Sequence, residues 1–181
     1  VLLMNLEQCR QKIKPQDIMN YISRKGNTLL LPDQDVLNAL YGTKTHLIPD
    51  EIYNYDVVIL PGGMPGAVNL RDNEKVNEIV KKFYDEGKIV AAICAAPQTL
   101  EQFGILDDKK CTSYPGFIKG REKVNYLEDQ IVVVDKNIIT SRGPATALEF
   151  AFKILEELGY KDKAEEIKKD MLVDFYLDHS K

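Results

Sequence analysis

Ile89-Val90-Ala91-Ala92-Ile93-Cys94-Ala95-Ala96-Pro97 decides the fold of this chain. The apolar run predicts a strand over Lys88–Ile93, and the residues from Ala95 to about Phe103 predict a helix. A cysteine between a strand and a helix has the layout of a nucleophile elbow, although the serine-hydrolase pattern G-x-S-x-G is absent. A sharp turn there exposes the sulfur at the sheet edge, and small neighbours let a strained backbone pass without clashes. The first N–H groups of a following helix, and its positive dipole end, would stabilise a thiolate. The Ala95 amide, paired with an amide from Gly63, would hold an oxyanion. The competing reading is a small buried hydrophobe, the usual fate of a cysteine.

Working outward, apolar runs alternate with segments of helical period. Val1–Leu6 reads as a strand, Pro15–Lys25 as a helix stopped by Gly26, and Thr28–Leu31 as a short strand. Val36–Pro49 is mixed, with a hairpin-like excursion around Gly42. Asp56–Leu60 reads as a continuous buried strand ending in Pro61-Gly62-Gly63. Asn73–Glu86 follows as a helix with Val76, Ile79, Val80 and Phe83 on one face. Ile131–Val134 and Ile138–Thr140 read as a hairpin joined by Asp135-Lys136-Asn137. The helix after Gly143-Pro144 places Leu148, Phe152 and Leu155 at core spacing, and a polar helix runs from about Asp162 to Phe175. No repeat or linker interrupts this order, so one domain over 1–181 is expected. Its architecture would be a three-layer α/β sandwich around a mostly parallel sheet. In such sheets ligands bind beyond the carboxyl ends of the strands, where Gly62, Gly63 and Cys94 fall.

The 181 residues carry a net charge of −4, with 44% hydrophobic and 29% charged residues, ordinary values for a globular domain. Basic residues are interleaved with acids, as in Lys161–Lys169, which argues against nucleic acid as a partner. No apolar run approaches the roughly 20 residues that span a bilayer, so no membrane partner is expected. No secretory signal peptide is predicted, although the sequence opens at Val1 inside an apolar run rather than at a methionine. The three cysteines, Cys9, Cys94 and Cys111, are odd in number and lack CxxC spacing, which predicts a reducing, cytoplasmic setting. With only His46 and His179, a multi-histidine metal site is excluded, and no metal or cofactor is expected. Cys9 and Cys111 read as packing or surface residues.

Three motifs carry a resemblance. LPGGMPG at Leu60–Gly66, AAICAAP at Ala91–Pro97 and TSRGPATALEF at Thr140–Phe150 resemble the ThiJ/PfpI superfamily, specifically its DJ-1-like branch. The resemblance runs from about Tyr55 to Leu158 with the motifs in the same order. It implies a flavodoxin-like sandwich, a homodimer, and an oxidation-sensitive cysteine on the elbow. It also implies cofactor-free conversion of methylglyoxal, repair of glycated adducts, protection against oxidative stress, or chaperone action.

The chain departs from that pattern in two places. The family's glutamate beside the cysteine precedes a proline and an aspartate, which Pro15 and Asp17 match. Counting from Pro15 puts Gln11 at its place, and counting back from Gly26 puts Lys14 there. Glu7 is the only acid before Asp17, and reads either as a pocket residue or as an exposed loop charge. Where the peptidase-like branch has a histidine after the cysteine, this chain has Ala95; where some DJ-1-like members have T-H-P, it has Ser113-Tyr114-Pro115. Tyr114 would line the pocket or simply pack. Without a histidine, peptidase and glutamine amidotransferase chemistry are disfavoured. Two functions follow: Cys94 attacks a small reactive carbonyl in a glyoxalase- or deglycase-like reaction, or Cys94 is oxidised and acts as a redox sensor in a stress-protective protein.

Overall fold

The computed structural model describes residues 55–179. The expected elements before Tyr55, together with Glu7, Cys9, Gln11, Lys14, Asp17 and His46, lie outside the described residues, and so does part of the expected single domain.

Among the described residues, four strands form the central sheet: β1 (Val57–Leu60), β2 (Ile89–Ile93), β5 (Val132–Asp135) and β6 (Ile138–Ser141). Their order is β1-β2-β6-β5, with β1, β2 and β6 parallel and β5 antiparallel at one edge. The expected hairpin is present: Val132 faces Ser141 and Asp135 faces Ile138, and Lys136 in the turn has a φ of 55°. A separate two-stranded parallel pair, β3 (Lys110–Cys111) and β4 (Asn125–Tyr126), has no counterpart in the sequence reading.

Helices flank the sheet: α1 (Gly66–Arg71), α2 (Glu74–Asp85), α3 (Pro97–Gln102), α4 (Ala147–Glu157), α5 (Lys161–Asp170) and α6 (Val173–His179). Helix α2 starts where its sequence says it should. The Asn73 side chain accepts a hydrogen bond from the Val76 amide at 3.2 Å, capping one of the unpaired first-turn donors. Its apolar stripe buries Ile79, Val80 and Phe83 against β1 and β2.

Strand alternation divides the core. Ile89, Ala91 and Ile139 pack on Phe150 and Ile154 of α4, with Val57, Ile93, Val132, Val134 and Leu158 around them. Val58, Leu60, Val90, Ala92 and Ile138 point the other way and are also buried, so both faces of the sheet are packed, although β1, expected to be buried throughout, leaves Ile59 38% exposed. The carboxyl ends of β1, β2 and β6 emerge as one edge, where Gly62, Gly63 and Cys94 lie.

Three further expectations are corrected. The helix after Cys94 begins at Pro97 rather than Ala95, because Cys94–Ala96 are spent on a turn in which the Ala96 amide donates to the Ile93 carbonyl at 3.1 Å. Leu148 is 47% exposed; helix α4 buries Phe150 and Ile154 on the sheet, while the expected Phe152 and Leu155 pack on Ala164 and Val173 instead. The polar C-terminal helix is two helices, broken at Met171–Leu172, where Leu172 has a φ of 56°.

Candidate functional site

Cys94 stands at the end of β2, between β1 and β6, with a φ of 63°. A non-glycine residue in the left-handed region costs about 1–3 kcal/mol and persists only where its surroundings hold it. Two backbone hydrogen bonds do so. The Cys94 amide donates to the Ser141 carbonyl at 3.0 Å, extending the β2–β6 pairing one residue past Ile93–Ser141. The Cys94 carbonyl accepts from the Tyr114 amide at 2.9 Å.

With both main-chain groups engaged, the half-buried side chain of Cys94 is left to act. Cys94 is a free thiol, in no disulfide among the described residues. The second bond also orients the next peptide unit. Because the trans peptide is planar, its N–H points opposite to its C=O. With the Cys94 carbonyl turned to Tyr114, the Ala95 N–H faces the other way. A Cβ placed at Gly62 would lie 3.3 Å from that nitrogen, 2.6 Å from the Cys94 Cβ and 2.8 Å from the Ile93 carbonyl. Only a glycine lets the loop after β1 approach the elbow so closely. Gly63 follows with a φ of 87°, and its carbonyl accepts from Ala67 at 2.9 Å. Neither the Gly63 nor the Ala95 amide donates to an acceptor among the described residues. The loop carrying Gly62 and Gly63 meets the elbow at the ends of the adjacent strands β1 and β2. The six-residue α3, opening on a proline without an N–H, supplies neither amide.

Tyr114 meets the elbow through its backbone. Its ring is 48% exposed, stands edge-on to Phe117 with centroids 6.1 Å apart, and borders Gly143. The Ser113 hydroxyl is 3.1 Å from the Tyr126 hydroxyl, which also donates to the Ser113 carbonyl at 3.1 Å, and so anchors the chain just before Tyr114. Beyond β6, Ser141 Oγ donates to the Ile131 carbonyl at 2.8 Å, and Arg142 reaches Thr112 Oγ1 at 3.3 Å and the Glu128 carbonyl. These bonds hold the segments that meet Cys94, and sequence reading did not single out their side chains.

The remaining candidates lie elsewhere. Cys111 on β3 is fully buried, and burial, reinforced by the Glu101 charge, pushes its thiol up to about 11. His179 is exposed on α6, stacked on Phe175 with centroids 4.2 Å apart. A cavity of about 430 Å³ is lined by Arg71, Gln98, Glu101, Phe117, Lys119 and Gly120 among others, but not by Cys94, Gly62, Gly63 or Ala95. The cavity is thus separate from the sheet edge that carries Cys94.

Residues 39–157 match the DJ-1/PfpI family. The chain belongs to that family. Within it, this DJ-1/PfpI chain is 43% identical over 120 residues to Protein dj-1beta of Drosophila melanogaster, covering 66% of this chain and 64% of that protein. It is 34% identical over 157 residues to the glutathione-independent glyoxalase DJ-1 of Schizosaccharomyces pombe, covering 83% and 81%. The structure of oxidized Toxoplasma gondii DJ-1 superposes with a TM-score of 0.61 at 37% identity, covering 67% of this chain and 66% of that one. The match spans under two thirds of the length of the Drosophila DJ-1beta and DJ-1alpha proteins. These likenesses place the α/β sheet and its elbow in the DJ-1 fold.

Proposed function

We propose that this DJ-1/PfpI protein converts small reactive carbonyls without glutathione or another cofactor, with Cys94 as the nucleophile. The observation that carries the reading is Cys94 held at positive φ at the end of β2 with Gly62 packed against it, while the Gly63 and Ala95 amides donate to no acceptor among the described residues. The sulfur adds to the aldehyde carbon of a compound such as methylglyoxal, forming the S–C bond of a hemithioacetal. The carbonyl π pair moves to oxygen as an alkoxide, which the two amides stabilise before it takes a proton. Transfer of the aldehyde hydrogen to the neighbouring carbon as a proton gives a thioester, and water releases a 2-hydroxy acid and the thiol. Atoms balance as one carbonyl compound plus one water. The naming of the S. pombe relative as a glutathione-independent glyoxalase supports this substrate class.

A second reading is favoured by the sequence, which has Gln11 or Lys14 where the family's glutamate stands, and by the half-buried, unpaired thiol of Cys94. In that reading Cys94 is oxidised to a sulfinate that the same amides bind, and turnover plays no part. Methylglyoxal consumption without glutathione separates the two. Wild type should turn it over and Cys94→Ser should lose about 10³-fold or more. Equal, negligible rates in both proteins overturn the enzyme and leave the sensor.

A further inference from the structure

The cysteine and the two amides sit on different loops, and something has to keep those loops in register. Gln98, in the first turn of α3, is buried. Its side-chain Nε2 donates to the Ala95 carbonyl at 2.9 Å and lies 3.9 Å from Met64 Sδ. Ala95 belongs to the elbow, and Met64 directly follows Gly63 on the loop after β1. One carboxamide group thus uses its donors on both arms of the amide pair.

The Ala95 carbonyl makes that bond consequential. Ala95 is 2% exposed, and its carbonyl accepts no backbone hydrogen bond among the described residues, since the Thr99 amide goes to Ala96 instead. A buried carbonyl deprived of its donor must turn to find another. Turning it rotates the Ala95–Ala96 peptide and, through the shared Cα, the Ala95 amide.

We propose that Gln98 is a positioning residue for the carbonyl reaction, setting the Ala95 amide relative to Gly63 through the Ala95 carbonyl and Met64. The inference rests on the enzyme reading above for its catalytic consequence, but its geometric content stands apart from turnover. Gln98 touches neither the sulfur nor the substrate, so its effect falls on stabilisation of the alkoxide and not on the nucleophile itself.

Gln98→Leu keeps the bulk and removes the donors; Gln98→Glu keeps the shape and presents an acceptor to the Ala95 carbonyl. Both should lower kcat for methylglyoxal by about 10–100-fold, the scale of a misplaced oxyanion donor. KM should stay within about twofold, and alkylation of Cys94 by iodoacetamide within about threefold, because uniform binding and the thiol are intact. A loss of fold would depress all three together. Amide NMR of the same proteins should show the Ala95 and Gly63 resonances displaced in both variants. Unchanged resonances, or wild-type kcat in both variants, overturn the proposal. If wild type itself lacks turnover, the enzyme reading falls while the displaced resonances still decide the bridge. Should neither variant fold, nuclear Overhauser contacts in wild type from the Gln98 side-chain amide to the Met64 methyl decide it, and their absence overturns it.

Discussion

At the scale of single residues, the two described cysteines contrast in surroundings more than in sequence. Cys94 is half-buried at a sheet edge, whereas Cys111 is fully enclosed with its thiol pushed up to about 11. Since a thiolate is the reactive form, mild peroxide or iodoacetamide at neutral pH should modify Cys94 well before Cys111, which peptide mass mapping reads directly. Faster modification of Cys111 would mean that its enclosure opens in solution. The same burial has a pH signature. Unfolded Cys111 ionises near its ordinary 9.0 and the folded thiol near 11, so the unfolded state releases its proton first. Stability from this group is whole below about pH 9 and is lost as pH rises toward 11, by at most about 2–3 kcal/mol. Urea midpoints at pH 8 and pH 10.5 should therefore fall more in wild type than in Cys111→Ala.

Between elements, the two glycines after β1 make separable demands. A side chain at Gly62 would collide with the Cys94 Cβ and the Ile93 carbonyl, while at Gly63 space is open and only the φ of 87° resists. Gly62→Ala should cost about 1–3 kcal/mol by overpacking and slow carbonyl turnover at least about tenfold by displacing the elbow. Gly63→Ala should cost about 1–2 kcal/mol from the backbone alone. Denaturant titration together with turnover assays distinguishes them. Such demands are visible in sequence because a glycine pair after an apolar run, and alanines around a cysteine, mark close approach. Periodicity likewise made α2 and the β5–β6 hairpin legible. It failed for β3 and β4, where two-residue pairings are too short to show a period, and for α1, which is six residues long. The break at Leu172 escaped because Lys168–Phe175 contains neither glycine nor proline to announce it. Gln98 escaped for another reason: a glutamine in a helix reads as solvent-facing, and nothing local reveals that two loops close over it. The Tyr114 amide was invisible because almost every residue has one.

Taken as a whole molecule, the described core is a sheet covered on both faces, and its stability should follow burial rather than the apparent stripe of α4. Phe150 is 6% exposed within the sheet-facing cluster and Leu148 is 47% exposed. Phe150→Ala should therefore cost about 3–5 kcal/mol, and Leu148→Ala within about 0.5 kcal/mol of nothing, by thermal or chemical unfolding. The reverse order would place Leu148 in a contact that the described residues do not show. The carboxyl edge gathers residues distant along the chain, since the Cys94 turn is bonded to both Tyr114 and Ser141. This has a consequence for biosynthesis. A ribosome makes Cys94 before either of its backbone partners, so the newborn sulfur emerges on an ordinary, unconstrained segment. Its geometry is conferred only when β6, far downstream, has been translated and has docked beside β2. On the proposed function, a nascent chain halted between those points would carry an ordinary thiol, and the reactivity proposed for Cys94 would await the completion of the sheet.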